Sequence, residues 1–228
     1  MISELLTAFF YSVLSISVLL CYRAGKILNL SFASFLTLGA YLSTFNALLS
    51  LPTGALAGYF LHLATRKLNV ANSTMFSLGF AIAIEEMLRI FFKTQYLLIP
   101  MQRVVVLEES ILEEHLLSGI ISITFLAAFF TFFFSQRSAV LRIVEEDYEI
   151  SEIYGVRTEI IRAIVLTVTS SIVCLLGSFQ HSGIVYPTIG WHFLIFAVIV
   201  ATIANLTPKP YPACILFASV VSWLTRLF

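Results

Sequence analysis

Six stretches of this chain contain no Asp, Glu, Lys or Arg, and their lengths limit what the chain can fold into. A helix needs about 20 mostly apolar residues to cross the hydrocarbon core of a bilayer. Two of the stretches are long enough for two crossings each, and clusters of turn residues divide both of them. The sequence therefore predicts an all-α, polytopic membrane protein with about eight hydrophobic segments. The six stretches are residues 5–22, 27–65, 68–84, 115–136, 163–208 and 210–225.

The composition excludes an ordinary soluble domain. Hydrophobic residues make up 59% of the chain and charged residues 11%, whereas a soluble domain has roughly 25% charged residues. A soluble chain of this length has too little interior to bury so much apolar surface. Residues 51–65 and 210–225 are short for full spans, so we expect some helices to be re-entrant or broken. Residues 1–228 are expected to form one transmembrane domain.

Lys and Arg are unevenly divided between alternate loops. Cytoplasmic loops of membrane proteins carry an excess of these two residues. With the N-terminus outside, the inner loops carry nine of the 13 Lys and Arg residues, which predicts this orientation and a cytoplasmic location for residues 137–162. The nine are Arg23, Lys26, Arg66, Lys67, Arg137, Arg142, Arg157, Arg162 and Lys209.

One segment, LRIVEEDYEISEIYGVRTEIIR at residues 141–162, concentrates the charge. Apolar residues recur within it at helical spacing, which predicts one or two short amphipathic helices. Gly155 follows as a helix stop that favours a left-handed backbone. The acids disfavour docking on anionic lipid, and a solvated spacer loop would gain little from an apolar stripe. We therefore interpret the segment as a docking surface for a cytoplasmic protein. The stripe consists of Leu141, Val144, Tyr148, Ile150, Ile153 and Tyr154.

Four patches of the chain, in order, resemble the permeases of ABC importers, in particular those of the branched-chain amino-acid family. They are YRAGKILNLSFASFLTLGAYLS, MFSLGFAIAIEEMLRIFF, EEDYEISEIYGVRTEIIRAIVLTVTSSIVCLLG and GIVYPTIGW. The third is similar to the family's cytoplasmic coupling loop. The chain departs from the family pattern at Phe32 and Ala33, where His-Gly is usual. It departs again after the Pro187 turn, where ATIANLTPKPYPACILFASVV replaces the family's Gly-rich loop and helix, and we expect the family's last hydrophobic helix to be missing.

The resemblance implies the permease subunit of a type II ABC importer. Two such subunits, identical or different, would form the pathway, and an extracytoplasmic solute-binding protein would deliver the solute. Each coupling loop would dock on an ABC ATPase subunit. That separate subunit would bind the ATP, because this chain has no Gly-x-x-x-x-Gly-Lys-[Ser/Thr] loop of its own. We expect no enzymatic activity, cofactor, metal site or nucleic-acid partner. The residues expected to dock are Leu141, Val144, Glu146, Asp147, Tyr148, Ile153, Tyr154 and Gly155.

Five residues are candidates for the transport pathway. Asn29, Ala33 and Thr37 lie on a small and polar helix face, which is typical of tight helix packing as well as of pore lining. Glu85 and Glu86 interrupt an apolar helix, and charged residues inside a membrane are costly and commonly functional. They would either pair with Arg89 near the outer interface or present a carboxylate to an amino group in transit.

Three functions remain open at this point. Asn29 and the Gly39-Ala40-Tyr41 run favour a permease for branched-chain or other small amino acids over one for sugars or nucleosides. An ion-coupled secondary transporter, with Glu85 or Glu86 carrying the proton, would not need an ATPase partner. A membrane enzyme has no support, because no cluster of catalytic or metal-binding residues falls on one segment.

Overall fold

A computed structural model of the protein describes residues 2–93, 96–99, 103–106, 109–181 and 183–224. These residues form ten α-helices, two 3₁₀ turns and four short strands. The helices are α1 Ile2–Arg23, α2 Phe32–Leu42, α3 Ser50–Thr65, α4 Val70–Phe92, α5 Glu113–Phe133, α6 Ala139–Glu146, α7 Tyr148–Ile153, α8 Thr158–Gly177, α9 Ile189–Asn205 and α10 Pro210–Leu224. The 3₁₀ turns are Ala47–Leu49 and Gln136–Ser138, and the strands are β1 Leu97–Leu98, β2 Arg103–Val106, β3 Glu109–Leu112 and β4 Ile184–Val185.

The prediction of a helical architecture is confirmed. Four helical stretches are long and apolar enough to cross a membrane: α1, α3 together with the 3₁₀ turn before it, α5 and α8. The helices α2, α9 and α10 are shorter, with 11, 17 and 15 residues. The helix α4 has 23 residues but includes Glu85, Glu86 and Arg89. The count of eight hydrophobic segments as crossings stays a prediction.

The first helix lies at the centre of the bundle. Every side chain from Phe10 to Cys21 is buried, as expected for a helix that is apolar on all its faces. The helix packs against α5, α8, α9 and α10. The hydroxyls of Ser12, Ser15 and Ser17 donate to backbone carbonyls four residues earlier. These internal hydrogen bonds satisfy the polar groups that an all-buried helix would otherwise leave without partners.

Glycines allow α2 to pack very closely against two neighbours. A Cβ on Gly39 would lie 1.8 Å from the carbonyl oxygen of Cys174 in α8, and a Cβ on Gly190 would lie 1.8 Å from that of Ala33. Neither position can therefore hold a larger residue without moving a helix. Close approach through small residues is how helices associate in membranes, and here it fixes the place of α2 between α8 and α9.

Two pairs of short strands were not expected from the sequence. The strands β1 and β4 pair antiparallel with Leu97 opposite Val185, and β2 and β3 form a hairpin with Arg103 opposite Leu112. Both lie between helices, in strands of two or four residues, which are too short for an alternating pattern to be recognised. The β1–β4 pair joins the end of α4 to the connection between α8 and α9.

Candidate functional site

The predicted docking segment forms two short helices, α6 and α7, at the end of the bundle where α1 ends. Asp147 separates them, with an extended backbone (φ −147°, ψ 112°). Its Oδ1 accepts a hydrogen bond from the Ile150 N–H at 3.0 Å, so its side chain caps α7. Gly155 ends the segment at φ +78°, as the sequence predicts, and its N–H donates to the Glu152 carbonyl at 2.9 Å.

The apolar stripe predicted on this segment is divided between two faces. Ile153 and Tyr154 are 83% and 78% exposed, whereas Val144 is fully buried in the bundle and Leu141 packs against the core. The expectation that Leu141 and Val144 are free for docking is therefore corrected. The physical reason is the break at Asp147, which turns α7 away from the direction of α6. Helical spacing does not continue across such a break.

The other predicted docking residues lie close to this break. Glu146 and Asp147 are exposed, Tyr148 is half-buried and Gly155 is exposed. The surface available to a partner therefore consists of Ile150, Ile153 and Tyr154, flanked by Glu146 and Asp147. We call it the α7 surface.

Glu145, one of the acids of this segment, is buried. The Tyr211 hydroxyl of α10 donates to Glu145 Oε1 at 2.6 Å. Burial raises the pKa of Glu145 above its ordinary value of 4.5, while the Tyr211 hydrogen bond and the charges of Arg23 and Lys26 act in the opposite direction. This contact ties α6 to the start of α10. No local pattern predicts this contact, because Tyr211 lies 66 residues away.

Arg162, in the second turn of α8, is a functional candidate that the sequence analysis missed. Its side chain is buried, with 6% of its surface exposed. Nη2 donates to the Thr65 carbonyl at 3.1 Å, to the Thr65 hydroxyl at 3.2 Å and to the Ser73 hydroxyl at 3.4 Å. No ion pair to Arg162 is formed by the residues that the structure describes. One buried guanidinium thus joins α8 to the end of α3 and the start of α4.

A further contact joins α7 directly to α8. The Thr158 hydroxyl donates to Glu152 Oε1 at 2.7 Å. The docking segment therefore touches the bundle at both ends: through Glu145 at its beginning, and through Glu152, Thr158 and Arg162 at its end.

The three pathway candidates in and before α2 are buried between helices. Asn29 Oδ1 accepts from the N–H and hydroxyl of Ser31, which is a local turn just before α2. Thr37 Oγ1 donates to the Ala33 carbonyl at 3.1 Å and accepts from the Gly190 N–H at 3.2 Å. These contacts favour the packing interpretation of this helix face over pore lining.

The two adjacent acids of α4 have different surroundings. Glu86 is exposed and pairs with Arg89 at 2.8 Å. Glu85 has 5% of its surface exposed and accepts a hydrogen bond from the indole N–H of Trp191 in α9. Consecutive helical residues point about 100° apart, so one acid faces outward and the other faces the bundle. Trp191 was not predicted as a partner because it lies 106 residues from Glu85.

No group of three or more His, Cys, Asp or Glu side chains that could hold a metal ion occurs within the described ranges. No protein-family model, curated protein or solved structure significantly matches this chain.

Proposed function

We propose that this protein is the permease subunit of an ATP-driven importer of the ABC class, and that its solute is a small amino acid. In this proposal the chain lies in the cell membrane with its N-terminus outside and residues 137–162 in the cytoplasm. It acts with a second permease subunit, two ATPase subunits and an extracytoplasmic solute-binding protein. The observation that carries the proposal is the α7 surface, together with its attachment to the helices.

The α7 surface has the chemistry of a protein-docking site. Three large side chains, Ile150, Ile153 and Tyr154, are exposed on a short helix that is capped at both ends. Burying an apolar side chain of this size is worth about 1.5–3 kcal/mol, and a few such anchors dominate many interfaces. The neighbouring acids Glu146 and Asp147 disfavour insertion among anionic lipids. A groove on a soluble protein fits better, as in other helix-in-groove contacts.

The contacts behind this surface support a role in transmitting movement. Arg162 joins α8, which follows α7, to the end of α3 and the start of α4, and Glu145 joins α6 to α10. A rigid-body shift of α7 on a closing ATPase would therefore displace several helices together. A loop that merely spaced two helices would not need buried polar contacts to three parts of the bundle.

Glu85 supports an amino acid as the solute. A carboxylate that is nearly buried in an apolar helix is expensive to keep ionised, which favours a use for it. An ammonium group is the natural counter-charge for such a carboxylate in a dry environment. In this proposal the amino group of the solute displaces the Trp191 indole from Glu85 during transit.

The test is purification of the tagged chain from its own membranes, followed by reconstitution. We expect ATPase subunits to co-purify, and uptake of an amino acid into proteoliposomes to require ATP. Uptake that is driven by an ion gradient and persists without any ATPase would contradict the proposal.

That contradicting result would support a second candidate, an ion-coupled secondary transporter. The buried position of Glu85 favours it, because a proton carrier must alternate between a charged state and a neutral state. The α7 surface does not support this alternative, since a secondary transporter needs no ATPase-docking site.

A further inference from the structure

A groove between α5 and α8 is lined by apolar side chains and has no role in the proposed docking. Its volume is about 380 Å³. The walls include Phe125 and Phe132 of α5 and Ile161 and Val168 of α8, with Leu20 of α1 at the base. Seven residues of helix separate the two wall positions on each side, so the groove is about 10 Å long.

The lining excludes a polar ligand. Thr169 is the one lining residue with a hydroxyl, and it uses that group within the protein. Its Oγ1 donates to the Val165 carbonyl at 2.6 Å and contacts Cys21 Sγ at 3.2 Å. A ligand in this groove would therefore make only apolar contacts, as a hydrocarbon chain does.

Opposite charges lie beside one end of the groove. Leu141 of α6 closes this end, and the next residue, Arg142, places its guanidinium carbon 5.9 Å from the ring centroid of Phe133. Glu146 follows one helical turn later, and both charged side chains are exposed. Such positions have Cβ atoms about 5–6 Å apart, yet neither residue forms an ion pair within the part of the chain that is described.

We propose that this groove binds a phospholipid with a zwitterionic headgroup. One acyl chain lies between α5 and α8, the phosphate accepts hydrogen bonds from Arg142, and the headgroup ammonium faces Glu146. A guanidinium is well suited to phosphate oxygens, and the adjacent carboxylate selects an ammonium over a purely anionic headgroup. The proposal rests on the membrane insertion and orientation given above, but not on ATPase docking. The bound lipid would support α6 from the membrane side, directly behind the docking segment.

The test uses delipidated protein in detergent, mixed with equal amounts of phosphatidylethanolamine, phosphatidylglycerol and phosphatidylcholine. Native mass spectrometry counts the lipid that each variant retains. We expect wild-type protein to retain phosphatidylethanolamine in preference to the other two, since its primary ammonium can donate to Glu146. Val168→Trp fills the groove and should lower retention by about tenfold, the effect of losing roughly 1.4 kcal/mol. Ile160→Trp is the control, because Ile160 is equally exposed on α8 and does not line the groove.

A second pair of variants tests the headgroup without changing the groove. Arg142→Gln should also lower lipid retention by about tenfold. The control is Lys67→Gln, which removes an exposed cation from the α3–α4 turn and should leave lipid retention unchanged. Equal lipid retention by Val168→Trp and wild type would show that the lipid does not bind in this groove. Preference for phosphatidylglycerol, or none, would overturn the headgroup assignment. A dimer that dissociates in Val168→Trp without lipid loss would show that a second copy of the chain occupies the groove.

These results do not depend on the proposed transport function. A chain that binds no ATPase but retains the lipid would contradict the importer and leave the lipid site intact. A chain that binds an ATPase without retaining lipid would contradict the lipid site and leave the importer intact.

Discussion

Arg162 donates a hydrogen bond to the backbone carbonyl of Thr65, with 3.1 Å between Nη2 and the oxygen. The contact joins the beginning of α8 to the last residue of α3, across 97 residues of sequence. Removing a charge from water costs several kcal/mol unless partners replace the water. Here three neutral oxygens accept from Nη2, while Nε has no hydrogen-bond partner among the described groups. The side chain adds polar contacts where α8 already packs closely against α3.

Replacing Arg162 should weaken the fold in a way that an exposed arginine does not. Arg162→Gln cannot span the same oxygens, and a hydrogen bond to a charged group is worth about 1.5–3 kcal/mol. Arg157→Gln, five residues earlier and exposed, should change stability by less than about 0.5 kcal/mol. Thermal unfolding of both variants in the same detergent would check this. Equal melting temperatures would show that the Arg162 contacts contribute nothing.

The Glu145–Tyr211 contact should make stability depend on pH. Because burial raises the pKa of Glu145 in the folded chain, the folded state binds this proton more tightly than the unfolded state. The stabilisation is complete below the ordinary value of 4.5 and is lost as pH rises through the folded-state pKa. Glu145→Gln removes this dependence. We therefore expect wild type to lose stability relative to Glu145→Gln as the pH rises above 4.5 and through the folded-state pKa.

Tyr211→Phe separates the hydrogen bond from the titration. It leaves Glu145 buried without its donor, which should cost about 1–3 kcal/mol, most above the folded-state pKa of Glu145, where the carboxylate is charged. Parallel pH profiles of wild type and Glu145→Gln, with no effect of Tyr211→Phe, would contradict the buried pair.

Gly155 should be sensitive to substitution for a conformational reason alone. A Cβ at this position would meet nothing within 4 Å, but the φ of +78° is strained for other residues. We expect Gly155→Ala to cost about 1 kcal/mol and Gly155→Asn to cost less. Gly79→Ala is the control, since Gly79 also has open space around it but lies inside α4. That change should be neutral or stabilising by about 0.5–1 kcal/mol.

Glu85 and Glu86 should differ in transport. Glu85→Gln keeps an oxygen that can accept from Trp191, so the fold should persist, while the lost charge should reduce amino-acid uptake by about tenfold or more. Glu86→Gln removes only an exposed ion pair, which is worth little, and should transport normally. Uptake measured per folded molecule checks this. Equal uptake by the two variants would remove Glu85 from the pathway.

The sequence predicts those features that depend on neighbouring residues. The charge-free runs predicted where helices lie, and the position of Gly155 after an amphipathic stretch predicted its left-handed backbone. Both follow from local composition and spacing. The burial of Val144 and Glu145 could not be predicted, because it depends on how α6 packs against the bundle, including the contact between Glu145 and Tyr211 of α10.

The contacts that were missed join residues far apart in the chain. Trp191 as the partner of Glu85, and Thr65 as the partner of Arg162, lie 106 and 97 residues away. Nothing in the local sequence distinguishes Arg162 from the other basic residues near inner helix ends. Arg162 directly precedes a long charge-free run, but so do Lys26, Lys67 and Lys209.

The most direct test of the proposed function compares ATPase co-purification between two exposed positions at the same end of the bundle. Ile153→Asp and Leu206→Asp each place a charge on a side chain that is more than four-fifths exposed, at 83% and 84%. Ile153 belongs to the α7 surface and Leu206 to the turn before α10. Tagged chains would be purified from their own membranes, and the ATPase bound per permease would be measured by mass spectrometry. The proposal predicts normal binding for Leu206→Asp and wild type, and loss of binding for Ile153→Asp. Undiminished ATPase binding by Ile153→Asp, or no ATPase with the wild-type chain, would contradict it.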